Sequence, residues 1–81
     1  MSDIQEVVAL NLRRLRRERR MTQTALAFRA EVDRSYLCQL ESGQYNATVQ
    51  MLGKLAKALN VPPGALLEPP QDPHRPRASK R

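Results

Sequence analysis

A single cysteine, Cys38, among 81 residues excludes an internal disulfide framework. With no leading apolar segment of signal-peptide character, the expected compartment is the reducing cytoplasm. No apolar run approaches the length needed to span a membrane. Aromatic residues are scarce, two Tyr, one Phe and no Trp, so any core must be aliphatic. Cys38 and the lone His74 are too few and too far apart to suggest a zinc site. There is no His–nucleophile pair, carboxylate dyad or phosphate-cradling Gly loop, so neither catalysis nor a cofactor or metal is expected.

What is present is one small domain's worth of aliphatic side chains and a formal charge of +6. The charge is unevenly placed. Leu12 to Arg20 (LRRLRRERR) holds six Arg against one Glu, while the rest up to Leu67 is close to neutral. Such a stripe is either an electrostatic footprint for phosphate or a solvated helix end whose Arg residues suit the negative pole of the helix dipole. Val8, Leu12 and Leu15 recur at i, i+4, i+7, which predicts a first helix over about Asp3 to Arg19, closed by Met21. Thr22 and Asp33 stand at two further N-cap positions. Leu26, Ala27 and Ala30, then Val32, Leu37 and Leu40, follow with helical spacing on either side of a break at Glu31.

Two short helices across a tight turn form a helix-turn-helix pattern. Ala27 permits a close crossing, and Leu26, Leu37 and Leu40 share a core, which leaves Arg34, Ser35, Tyr36, Cys38 and Gln39 to supply an outward polar ridge that fits a DNA major groove. Ser42-Gly43 ends this helix and Gln44 to Ala47 is a loop. Thr48 caps a fourth helix built on Val49, Leu52, Leu55, Ala56 and Leu59, ending at Asn60 before Val61-Pro62-Pro63. A short fifth helix is expected over about Pro63 to Leu67. The fold class is therefore all-α, a compact four- to five-helix domain over residues 1–67. Residues 68–81, EPPQDPHRPRASKR, with four Pro and four basic residues, are read as a disordered basic tail.

LRRLRRERRMTQTALA, VDRSYLCQLESG and YNATVQMLGKLAKALNVPPGALL, taken in order, resemble the Xre family of helix-turn-helix regulators, the group that contains phage Cro and cI-type repressor domains. The resemblance covers about Val7 to Leu67. Around Asp33-Arg34-Ser35-Tyr36-Leu37 the chain is also similar to the small controller proteins of restriction–modification systems.

The resemblance implies roles for particular positions. Gln23, opening the second helix, would bond a DNA phosphate and brace the recognition helix. Arg34, Ser35 and Gln39 would meet base edges, with Tyr36 reaching a base or a phosphate. Arg16 would pair first with Glu41, which closes the third helix, and second with a DNA phosphate. Gln44, Tyr45, Asn46 and Thr48 would flank the site and hold the phosphate backbone, though Asn46 and Thr48 could serve only as a turn and a cap. Arg13, Arg17 and Arg20 are candidates for long-range attraction, Arg13 and Arg17 also for phosphate contact. Glu31 and Arg20 stand where the family commonly has Gly, so a positive φ would strain Glu31, and the first helix is expected to end differently at Arg20. Helical phase leaves Phe28 outside the core.

Val61, Ala65, Leu66 and Leu67 either form a homodimer interface or close the monomer core. Family members of this size usually act as homodimers on pseudo-palindromic operators. The expected function is sequence-specific binding of double-stranded DNA by a non-enzymatic transcriptional regulator. A dimeric repressor is the simplest form, activation through contact with RNA polymerase uses the same fold, and a restriction–modification controller or a toxin-binding antitoxin are the alternatives. Docking of the basic first helix on a membrane is disfavoured, because its apolar stripe is narrow and needed by the core. With no sensing domain in this length, a small-molecule effector is not expected.

Overall fold

The computed structural model describes residues 3–69. The expected tail lies outside the described residues from position 70 onward. Four α-helices and a closing 3-10 turn make up the fold: α1 Ile4–Glu18, α2 Gln23–Ala30, α3 Arg34–Glu41, α4 Val49–Leu59 and the turn Pro63–Leu66. No strand occurs among the described residues.

Three helices begin on a side-chain cap. Thr22 Oγ1 accepts from the Ala25 N–H at 3.0 Å, Asp33 Oδ2 from the Ser35 N–H at 3.0 Å and Thr48 Oγ1 from the Met51 N–H at 3.1 Å. Each oxygen satisfies a donor that has no partner inside its helix. In α1 the Asp3 side chain makes no such bond, and only its backbone carbonyl accepts, from Glu6 and Val7.

All four described helices end alike. Arg20, Glu31, Gly43 and Asn60 adopt left-handed φ of 56°, 59°, 79° and 60°. The next residue in each case, Met21, Val32, Gln44 or Val61, donates its N–H at 3.0 Å to the carbonyl five positions back. This pairing satisfies carbonyls that the helix end leaves open. A Cβ in that region costs about 1–2 kcal/mol, and only Gly43 avoids it. Elsewhere the cost is offset by an apolar anchor, since Met21, Val32 and Val61 all pack against the core. Glu31 thus does occupy a backbone conformation that glycine favours, and α1, expected to end differently at Arg20, ends as the others do.

Leu12 of α1, Leu26 of α2, Leu37 and Leu40 of α3 and Leu55 and Leu59 of α4 are fully enclosed, with Ala27, Ala30 and Ala56 at the crossings. Each leucine contributes about 1.5–3 kcal/mol by leaving water. Leu66 is enclosed with them at 0% exposure. That corrects its expected place in a dimer interface, because a side chain sealed in the monomer offers a second copy nothing. Val49, counted above among the core positions of α4, is 86% exposed. It is the first residue of its helix and its apolar phase continues past the packed region. Asn11 is buried beside the leucines, and its Nδ2 donates to the carbonyls of Leu66 at 3.0 Å and Glu68 at 2.7 Å, tying the closing turn to α1.

Candidate nucleic-acid interface

Helix α3 is held at its C-terminal end by polar contacts and along its inner face by Leu37 and Leu40. Glu41, only 3% exposed, receives two bonds from one guanidinium: Arg16 Nε to Oε2 at 2.7 Å and Arg16 Nη2 to Oε1 at 3.0 Å. The third nitrogen of Arg16 donates to the Met21 carbonyl at 2.9 Å, and Gln23 Nε2 donates to Glu41 Oε1 at 3.0 Å. One carboxylate therefore ties α3 to α1, to the start of α2 and, through Arg16, to the turn between them. Arg13 Nη1 also donates to the Glu41 backbone carbonyl, a position where a cation suits the negative helix pole. A lone carboxylate in such surroundings would be costly, whereas this one has its charge and both oxygens matched.

The outer side of α3 contrasts with this. Arg34 and Ser35 are exposed, Tyr36 and Gln39 half-buried, and none of these side chains makes a hydrogen bond to protein among the described residues. Arg34 and Gln39 keep their full donor capacity, and both can form two parallel bonds to the edge of one base. The Tyr36 ring packs on Tyr45, with centroids 5.9 Å apart and planes tilted by 60°. The loop after α3 is thus positioned by α3 itself. Gln44, Tyr45, Asn46 and Thr48 are all exposed along it. Thr48 spends an oxygen lone pair on its cap and retains an O–H to donate. Gln23 likewise retains its second amide proton after bonding Glu41.

The basic stripe divides. Arg14 pairs with Glu18 at 3.1 Å, Arg19 lies 3.8 Å from Glu18, and Arg16 and Arg13 are committed to α3. Arg17 and Arg20 are exposed and have no carboxylate partner among the described residues. Arg13, a candidate for phosphate contact, has its Nη1 on the carbonyl of Glu41 at the end of α3, a contact that sequence reasoning missed. That reasoning also missed Asn11 altogether, although Asn11 lies three residues after Val8 and four before Leu15, inside the apolar phase. Cys38 is a free, exposed thiol on α3, and Phe28 projects into solvent. No helix among the described residues is long and apolar enough to cross a membrane.

The family model described as Helix-turn-helix matches residues 12–66. An uncharacterized HTH-type transcriptional regulator, y4dJ, of Sinorhizobium fredii is 40% identical over 83% of this chain and 87% of its own length. The immunity repressor protein of Bacillus phage phi105 is 35% identical over 74% of this chain, which spans only 42% of the repressor. Among solved structures, the restriction–modification controller protein C.AhdI from Aeromonas hydrophila superposes with a TM-score of 0.74 at 37% identity, covering 76% of this chain and 94% of that one. A match across both helices of the motif and the helices that support them makes this chain a member of the helix-turn-helix family of DNA-binding transcriptional regulators, of the Xre, Cro/cI type.

Proposed function

We propose that the protein is a sequence-specific repressor that lays α3 in the DNA major groove as one half of a homodimer. The observation that carries this reading is the split character of α3, clamped at its C-terminal end through Glu41 and bare at Arg34, Ser35 and Gln39. Arg34 and Gln39 read base edges, Ser35 assists, and Tyr36 contacts a base or the adjacent phosphate. Gln23, Arg17, Gln44, Tyr45, Asn46 and Thr48 hold the backbone on either flank, where phosphate contacts fix orientation without reading sequence. Arg13 acts at one remove, by steadying α3. Exposed Leu67, with half-buried Val61 and Ala65 beside it, supplies the apolar surface for dimerisation. Two copies then address half-sites about 34 Å apart on a pseudo-palindrome. Protein concentration, acting through dimerisation, is the regulatory input.

A second reading, control of a restriction–modification system, is supported by the likeness to C.AhdI, 94% of which is covered. It needs the same DNA chemistry and differs only in the genes addressed. The test is selection from random duplex DNA at a fixed, near-physiological salt with the native protein and with Gln39→Ala. A palindromic motif whose preference relaxes at one position per half-site in the variant is the expected result. Binding without any enriched motif would reduce the activity to charge attraction. Sedimentation showing only monomer at high micromolar concentration would remove the dimer from the proposal.

A further inference from the structure

A cleft of about 480 Å³ lies between the C-terminal end of α2 and the middle of α4, lined by Arg29, Ala30, Glu31, Lys54, Lys57 and Ala58. Three cations meet there against one carboxylate, and among the described residues none of the three is within ion-pair distance of any carboxylate. Arg29 and Lys57 stand in the last turns of their helices, where a cation complements the helix pole. Lys54 has no such position. It is three residues before Lys57 on the same helix, a like-charge spacing that is destabilising unless an anion relieves it. Its stem is half-buried beside Ala58, so its charge is held at the cleft.

The cleft lies away from the helix starts to which the DNA backbone is assigned. Arg29 follows the Thr22 cap by seven residues and Lys54 follows the Thr48 cap by six, about 10.5 and 9 Å along the respective helix axes. Its alanine floor suits the methylenes of a peptide better than a sugar–phosphate chain. We propose that this cleft is a docking site for an acidic segment of a protein partner, separate from the DNA-reading face. The inference rests on the DNA-binding reading only for which face is left free.

Hexaglutamate titrated into the full, isotopically labelled chain, alone and bound to a duplex, tests it. Amide shifts are expected to concentrate at Arg29–Glu31 and Lys54–Ala58 and to persist on DNA. Lys54→Gln with Lys57→Gln, and separately Arg29→Gln, should weaken the peptide at least about fivefold at physiological salt while duplex affinity falls less than about twofold. All three side chains are surface cations, and unchanged helicity and melting of the variants would confirm that the fold survives. Shifts spread along Arg13 to Arg20, displacement of the peptide by duplex, or an equal loss of duplex affinity in the variants would each overturn the proposal. Peptide binding at the cleft without any duplex binding would sink the DNA reading and leave the cleft standing.

Discussion

The two ends of α3 belong to the same eight-residue helix but obey opposite rules. At Glu41 every polar atom is matched, and the carboxylate is drawn into the protein by Arg16 and Gln23. At Arg34 and Ser35 the side chains are solvated and uncommitted. A side chain that reads another molecule must keep its hydrogen-bonding groups free, and the helix carrying it must not move. This helix divides the two tasks between its ends.

Breaking the clamped end should have the largest effect. Glu41→Ala leaves the guanidinium of Arg16, 13% exposed, without its counter-charge. It is expected to cost about 3–5 kcal/mol, read as a fall in the urea midpoint at unchanged m-value. Combining Arg16→Met with Glu41→Leu should recover most of that stability, because no charge is then left unpaired. If the double variant also binds DNA normally, the clamp does not position α3 and the contrast between the two ends loses its meaning.

At the bare end, Arg34→Ala should weaken operator binding by about 1–3 kcal/mol while thermal stability shifts by less than about 0.5 kcal/mol. A melting point that dropped with affinity would place Arg34 in the folded framework. Asp33→Ala, at the junction of the two regimes, removes the cap on the Ser35 N–H and should cost about 1 kcal/mol of stability. The smallest change expected is a gain: Glu31→Gly relieves a left-handed Cβ, and calorimetry should show up to about 1 kcal/mol of added stability.

Helix starts were readable because Thr22, Asp33 and Thr48 are of the residue types that cap, each just ahead of a periodic apolar run. Helix phase was readable too, and it put Leu12, Leu26, Leu37, Leu40, Leu55 and Leu59 inside. Periodicity assigns a face to a residue but not what covers that face. Val49 and Leu66 show the limit in both directions, one apolar residue left outside and one sealed in by contacts with α1 and α4 that no local pattern announces. Asn11 was overlooked because its polarity suggested water, when its partners were carbonyls more than fifty residues away. Arg13 belongs with these, since a run of arginines does not tell which of them meets a neighbouring helix. The shared ending of the helices was legible from residue type at Ser42-Gly43 and Asn60, and at Glu31 only from the family's usual glycine. At Arg20 and Glu31 the anchor is the apolar residue that follows, and it holds a conformation the residue itself disfavours.

The bonds from Asn11 reach to the carbonyls of Leu66 and Glu68, and Leu66 belongs to the same buried cluster as Leu12. The buried amide of α1 therefore waits, during synthesis, for residues more than fifty positions later before it finds partners. Closure of this domain follows the appearance of Glu68 outside the ribosome. Nascent chains arrested with Ala65 just outside the exit tunnel should be cut by protease along α1, and those arrested a few residues beyond Glu68 should resist.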